Sequence, residues 1–270
     1  MNTVLIAVSQ ANEDPWKSIW KNGQQNTWMA NSVNGVEILN FCSKSAPPIV
    51  NKLDAFHEKN RYRKRISIWQ GRVDKFSTKL IPKTIPHSIF DQSNQLLLIN
   101  SWSTYFTLGR RYMGLYKWFL DQTKYDFLFT TNTSSYINQN KLMDIIQSFS
   151  ESDFIYAGFL VPEFGDNQFV SGAGKLLSRK IVEIIVNNSA SYKHSYLEDV
   201  DLGHFLREKR IAPIKLSRFE IRNPKEVSEI SENTLREEFH YRCKSFEHPR
   251  KDADIMLGLH KRISTLKWDK

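Results

Sequence analysis

The stretch FVSGAGKLLSRKIVEIIVNN, residues 169–188, and EDVDLGHFLREKR, residues 198–210, decide the reading of this chain. The first opens apolar, passes through small residues and closes on apolar positions at helical spacing. That pattern predicts a strand, a glycine turn and a helix capped by Ser178. A turn of small residues lets backbone approach a ligand closely, because no Cβ stands in the way. The second stretch places Glu198, Asp199 and Asp201 in the first turn of a helix. At that positive end a carboxylate is stabilised, and it can be aimed into a cleft as a general base.

Working outward, the same alternation continues on both sides. TVLIAV (3–8) is a continuous apolar run rich in β-branched residues, which predicts a strand buried on both faces. VEILNF (36–41), ISIW (66–69), QLLLIN (95–100), YDFLFTTN (125–132) and DFIYAGFL (153–160) are further strand candidates. Helices are expected at 51–65, ending in the basic run RYRKR, at 108–123 and at 140–149. Strands and helices alternate to about residue 216, which predicts an α/β fold with a mixed, mostly parallel sheet and helices on both faces. Beyond Phe219 the chain is polar until 237–263. The expected organisation is one core, 1–218, with a basic C-terminal segment, 219–270, packing on the active site.

Composition bounds the function. The chain has 270 residues, 40% of them apolar, with only 11 Gly and 9 Pro, which excludes collagen-like and largely disordered classes. No apolar run approaches the roughly 18 residues of a membrane span, and the opening MNTVLIAVSQ lacks the basic leader of a signal peptide. Cys42 and Cys243 lie too far apart in sequence to suggest a disulfide framework or a zinc site, so a reducing, cytoplasmic setting is expected. The net charge of +9 favours an anionic partner: nucleic acid, a phosphorylated metabolite or the acidic inner face of a membrane. The charge is spread along the chain with no nucleic-acid-binding signature, so no nucleic acid is expected. Trp16, Trp20 and Trp28 read as core or as walls of a sugar groove.

Taken together, YDFLFTTNTSSYIN, FVSGAGKLLSRKIVEII and EDVDLGHFL resemble the core of GT-A-fold glycosyltransferases, most nearly the Fringe and β-1,3-galactosyltransferase group. The resemblance covers about residues 95–210 and rests chiefly on SGAGKLLS with EDVDLG. It implies a GT-A-like sheet of Rossmann type and transfer of a sugar from a nucleotide-sugar donor to a hydroxyl of a glycan or lipid-linked saccharide, with inversion. It also implies Asp199 as the base, Glu198 orienting it or binding acceptor, and Ser171, Gly172, Ala173 and Gly174 against the sugar or acceptor. Ser9, at the end of the first strand, falls on the donor side.

One departure matters. Where the family carries its metal-binding Asp-x-Asp, this chain has Thr131, Asn132, Thr133, Ser134 and Ser135. Hard cations want anionic oxygens, so no divalent metal or other cofactor is expected. His240 is the one weak metal candidate, by its likeness to a C-terminal histidine of the family. The diphosphate would instead meet basic side chains: Arg242 and Lys244 from the segment HYRCKSFEHPRKD, with Arg110 and Arg111 as a second set. The competing expectation is a non-catalytic sugar or nucleotide-sugar binding protein on the same fold.

Overall fold

In a computed structural model the chain is described over residues 1–11, 13–60, 84–104, 107–150, 153–162, 168–194 and 197–266. The strands are β1 Val4–Ser9, β2 Val36–Lys44, β3 Ser88–Asp91, β4 Leu96–Trp102, β5 Phe127–Asn132, β6 Ser135–Ile137, β7 Tyr156–Pro162, β8 Gln168–Ser178, β9 Ile214–Lys215, β10 Phe219–Ile221 and β11 His240–Cys243. The helices are α1 Trp16–Ile19, running into a π turn, then α2 Pro48–Asn60, α3 Leu108–Gln122, α4 Gln139–Gln147 and α5 Arg179–Asn187. They continue with α6 Glu198–Glu208, α7 Glu226–Glu229, α8 Glu232–Glu237 and α9 Asp252–Thr265. The strand expected at 66–69 and the basic run 61–65 lie outside the described residues.

The larger sheet has the order β3-β4-β2-β1-β5-β8-β7-β9. Its centre, β4-β2-β1-β5, is parallel; β3 and β8 run against their neighbours, and β7 and β9 return to the common direction. The expected mixed, mostly parallel α/β sheet is therefore what the chain forms. β1 shows why its run is apolar throughout. Val4, Ile6 and Val8 face one core with Leu142 and Ile146 of α4, while Leu5 and Ala7 face the other with α3, α5 and α6. Helices cover both faces.

β10, β11 and β6 form a second, three-stranded sheet. Through it the last fifty residues join the first core: Ile221, Tyr241, Met256 and Leu259 pack in the same cluster as Val4 and Phe127. Among the described residues no helix is long and apolar enough to cross a membrane.

The expected glycine turn at 171–178 is instead the middle of a continuous strand. β8 runs eleven residues between β5 and β7, antiparallel to both. Its glycines answer to tertiary packing. A Cβ on Gly174 would lie 2.5 Å from Cε1 of His240, and one on Gly172 would lie 3.1 Å from the Asp199 carboxylate. Ser178 does stand before α5, but its hydroxyl accepts the Ile155 N–H and gives no cap.

Candidate active site

The chain passes from β1 outward to β2 and β4, then returns to lay β5 on the other side of β1. At such a switch point the loops leaving the strand ends diverge and open a crevice. A cavity of about 560 Å³ lies there. Ser9 ends β1, opposite Asn132 of β5, and both line it. Ser43 of β2, Ser103 beyond β4, Arg111 of α3, and Thr133 and Ser134 beyond β5 complete the inner side. Trp16, Arg242 and Lys244 face them from the N- and C-terminal segments. Of the ten residues expected on the donor side, seven line this one cavity.

Arg111 is the deepest charge. Its side chain is 6% exposed, and its guanidinium donates to Ser43 Oγ at 3.1 Å, Ser9 Oγ at 3.2 Å, the Gln10 carbonyl at 3.3 Å and Ser103 Oγ at 2.8 Å. Burial lowers its pKa, and among the described residues no carboxylate offsets that cost. Dipoles fix the fork while its charge stays uncompensated, which is the electrostatic form of an anion site. Arg110, one residue earlier, turns away. It donates to the Thr84 carbonyl at 3.0 Å and lies outside the cavity lining, because consecutive helical residues point about 100° apart.

The opposite wall is also cationic. Burial, and after it the nearby Arg218, lowers the Arg242 pKa to about 10, and its Nε has no partner among the described residues. Arg250 pairs with buried Asp252, lies over the Trp16 ring at 4.4 Å and donates to Ser134 Oγ at 3.2 Å. Arg218 donates to Ser171 Oγ at 2.9 Å and pairs with Glu220.

The turn 131–135 does not fit a divalent cation. Thr131 and Ser135 are fully buried, and both hydroxyls donate to the Ala173 carbonyl, at 2.7 and 3.3 Å. They hold β8 in place and do not reach the cavity, contrary to the donor role expected of them. Asn132 Oδ1 accepts the Ser134 N–H at 3.1 Å, and Ser134 Oγ already faces a guanidinium. Neutral, occupied oxygens beside a cation make a poor metal site. Glu13, Asp14 and Asp54 line the outer cavity, but Asp14 accepts from Ser18 at the start of α1. Among the described residues no three His, Cys, Asp or Glu side chains converge. His240 is 1% exposed, with Nε2 3.0 Å from Ser135 Oγ and its ring edge-on to Phe129. Burial first, then Arg218 and Arg242, push its pKa well below the usual histidine range. The ring is a neutral packing group under Gly174.

The two carboxylates that open α6 have different surroundings. Asp199 is half-buried, and its Oδ2 accepts the Gly172 N–H at 2.8 Å while Oδ1 accepts the Val200 N–H at 3.1 Å. Thr131 pairs with Gly174, so Ser171 and Gly172 project past the end of β5, the end at which Asn132 meets the cavity; neither they nor Asp199 line the cavity itself. Glu198 is 2% exposed and turned inward, where it pairs with Lys175, a residue with no exposed side-chain surface. It cannot touch an acceptor. Ala173 and Gly174 are buried too, leaving Ser171 and Gly172 as the accessible part of that segment. Sequence reading passed over Lys175, Arg218, Ser43 and Ser103. The single signal for the first was a lone charge inside an otherwise uncharged strand.

No protein-family profile and no curated protein matches the sequence. Among solved structures, a glycosyltransferase involved in the glycosylation of the major capsid of PBCV-1 is similar over 97% of this chain and 100% of its own, at 10% identity and a TM-score of 0.43. The glycosyltransferase GlyE of Streptococcus pneumoniae TIGR4 is similar over 99% of this chain and 62% of its own, at 9% identity and a TM-score of 0.41. Its apo form gives 0.44 over 61% of that chain, so this chain spans about three fifths of GlyE. At such identities and scores the likeness carries no argument about chemistry.

Proposed function

We propose that this chain is a GT-A-like glycosyltransferase that moves a sugar from a nucleoside-diphosphate donor to a saccharide hydroxyl, without a divalent metal and with inversion. The observation that carries this reading is the uncompensated Arg111 guanidinium at the floor of a switch-point cavity, faced by Arg242 and Lys244. A cavity of about 560 Å³ is in the size range of cofactor sites. In the reaction the acceptor oxygen attacks the anomeric carbon while Asp199 takes the hydroxyl proton. The bond from the anomeric carbon to the diphosphate oxygen breaks, and its electron pair leaves with the diphosphate. Arg111, Arg242 and Lys244 stabilise the charge that develops there, each charge-assisted contact contributing about 1.5–3 kcal/mol. Asp199 suits its role because two backbone N–H groups fix its carboxylate while it stays half open to solvent.

The test is a thermal-shift panel of UDP-, GDP-, dTDP- and CMP-sugars, each with Mn²⁺ and with EDTA. A nucleoside-diphosphate sugar should raise Tm equally in both, and the CMP-sugar, with one phosphate fewer, should raise it less. No shift from any donor overturns the reading, and a shift only with Mn²⁺ overturns its metal independence. Asp199→Asn should cut turnover roughly a hundredfold or more at unchanged donor affinity. Near-normal turnover in that variant removes Asp199 as base. Donor binding with no transfer to any saccharide would leave a binding protein in place of an enzyme.

A further inference from the structure

Lys175 sits in the middle of β8, its ammonium wholly buried, paired with the Glu198 carboxylate and 4.0 Å from the centre of the Tyr112 ring. A buried ion pair is a poor source of stability, since an apolar pair of the same volume often serves as well or better. Its placement offers another explanation. β8 grips the start of α6 at two consecutive residues, Glu198 through Lys175 and Asp199 through the Gly172 N–H. Tyr116 donates to Glu198 Oε1 at 3.4 Å, and Tyr192 donates to the Glu198 carbonyl at 3.3 Å. On α3, Tyr116 stands one turn after Tyr112, the two rings 6.0 Å apart, and Tyr112 follows Arg111, which donates to Ser9 Oγ. One buried chain of contacts thus runs from the cavity floor to the residue beside Asp199.

We infer that Lys175 and Glu198 are positioning residues: the pair fixes the first turn of α6 so that the Asp199 carboxylate stays on the Gly172 N–H, just past the end of β5. This rests on the proposed role of Asp199, so its test has one readout that needs turnover and one that does not. The variants are Lys175→Met, which leaves a buried carboxylate alone, and the double Lys175→Met/Glu198→Leu, which replaces the pair by apolar bulk. The double variant should recover the Tm lost by the single one. Its kcat should nevertheless stay tenfold or more below wild type, with donor affinity unchanged. Hydrogen exchange at the Gly172 and Val200 amides, both held by Asp199, should be at least tenfold faster in the double variant.

Recovery of Tm together with kcat, or Gly172 and Val200 protection as in wild type, would make the pair a structural filler and overturn the inference. If wild type binds no nucleotide-sugar, the functional reading fails instead. The amide exchange then still decides whether the pair holds Asp199 in place.

Discussion

Arg111 and Lys175 are both buried cations flanking Tyr112, one beside it in sequence and the other over its ring. Arg111 is met by three hydroxyls and a carbonyl, and Lys175 by a carboxylate. Desolvating a charge is costly in both places, but among the described residues Lys175 has a paired carboxylate and Arg111 has none. The contrast separates two uses of positive charge on either side of one tyrosine. One is held ready for an anion that arrives; the other already has its anion and serves to hold two elements together.

The comparison breaks or sharpens at single substitutions. The largest effect belongs to Lys175→Met, which strands the Glu198 carboxylate in a site that already raises its pKa through burial. Stability should fall by about 3–5 kcal/mol in urea melts, with donor affinity kept. Arg111→Met should do the reverse. Tm should hold or rise, because no carboxylate loses a partner, while affinity for a nucleoside diphosphate falls about 10- to 150-fold by calorimetry. If both variants unfold, or both lose donor, the distinction is wrong. Arg242→Ala comes next. It should weaken a nucleoside diphosphate more than the bare nucleoside, and by less than Arg111→Met, because Lys244 shares its wall.

The smallest effect concerns pH. His240 is held neutral by burial and then by the charges of Arg218 and Arg242; His194 is lowered to about 4 by burial and then by Arg110. Unfolded, both would titrate near 6.5. Between the folded and unfolded values the unfolded chain binds more protons, so stability rises with pH. The contribution is complete above about pH 6.5 and is lost as pH falls below it, down to about 4 for His194, at up to about 1.4 kcal/mol per unit for each histidine. Urea melts at pH 7 and pH 5 should show the loss, and His194→Asn should remove part of it. A flat profile would mean that neither ring is buried neutral.

The alternation of strands and helices was legible because its signals are local. β1 is apolar from Val4 to Val8 since both its faces are covered there, and Tyr112, Leu115, Tyr116 and Phe119 recur at the helical period. β8 was misread for a physical reason. Gly172 and Gly174 are small to admit Asp199 and His240, residues that stand 27 and 66 positions later, and no local pattern separates that demand from a turn. The donor-side residues divide by geometry. Asn132, Thr133 and Ser134 lie at the cavity, whereas Thr131 and Ser135 flank them and face inward. Neither that division nor the split between Arg110 and Arg111 follows from residue type; both need the phase of the element, which composition does not supply. Lys175 shows the opposite limit. Its partner is Glu198, and only the fold brings strand and helix together.

β11 reaches back to pair with β6, and beyond it Arg250 lies over Trp16 and against Ser134. Within β11, Tyr241 packs in the same core as Val4 and Phe127, while its neighbour Arg242 lines the cavity. The far wall is therefore braced by the core and is not a loose flap. A change that loosens the packing of Tyr241 should be felt at the cavity, although Tyr241 does not itself line it.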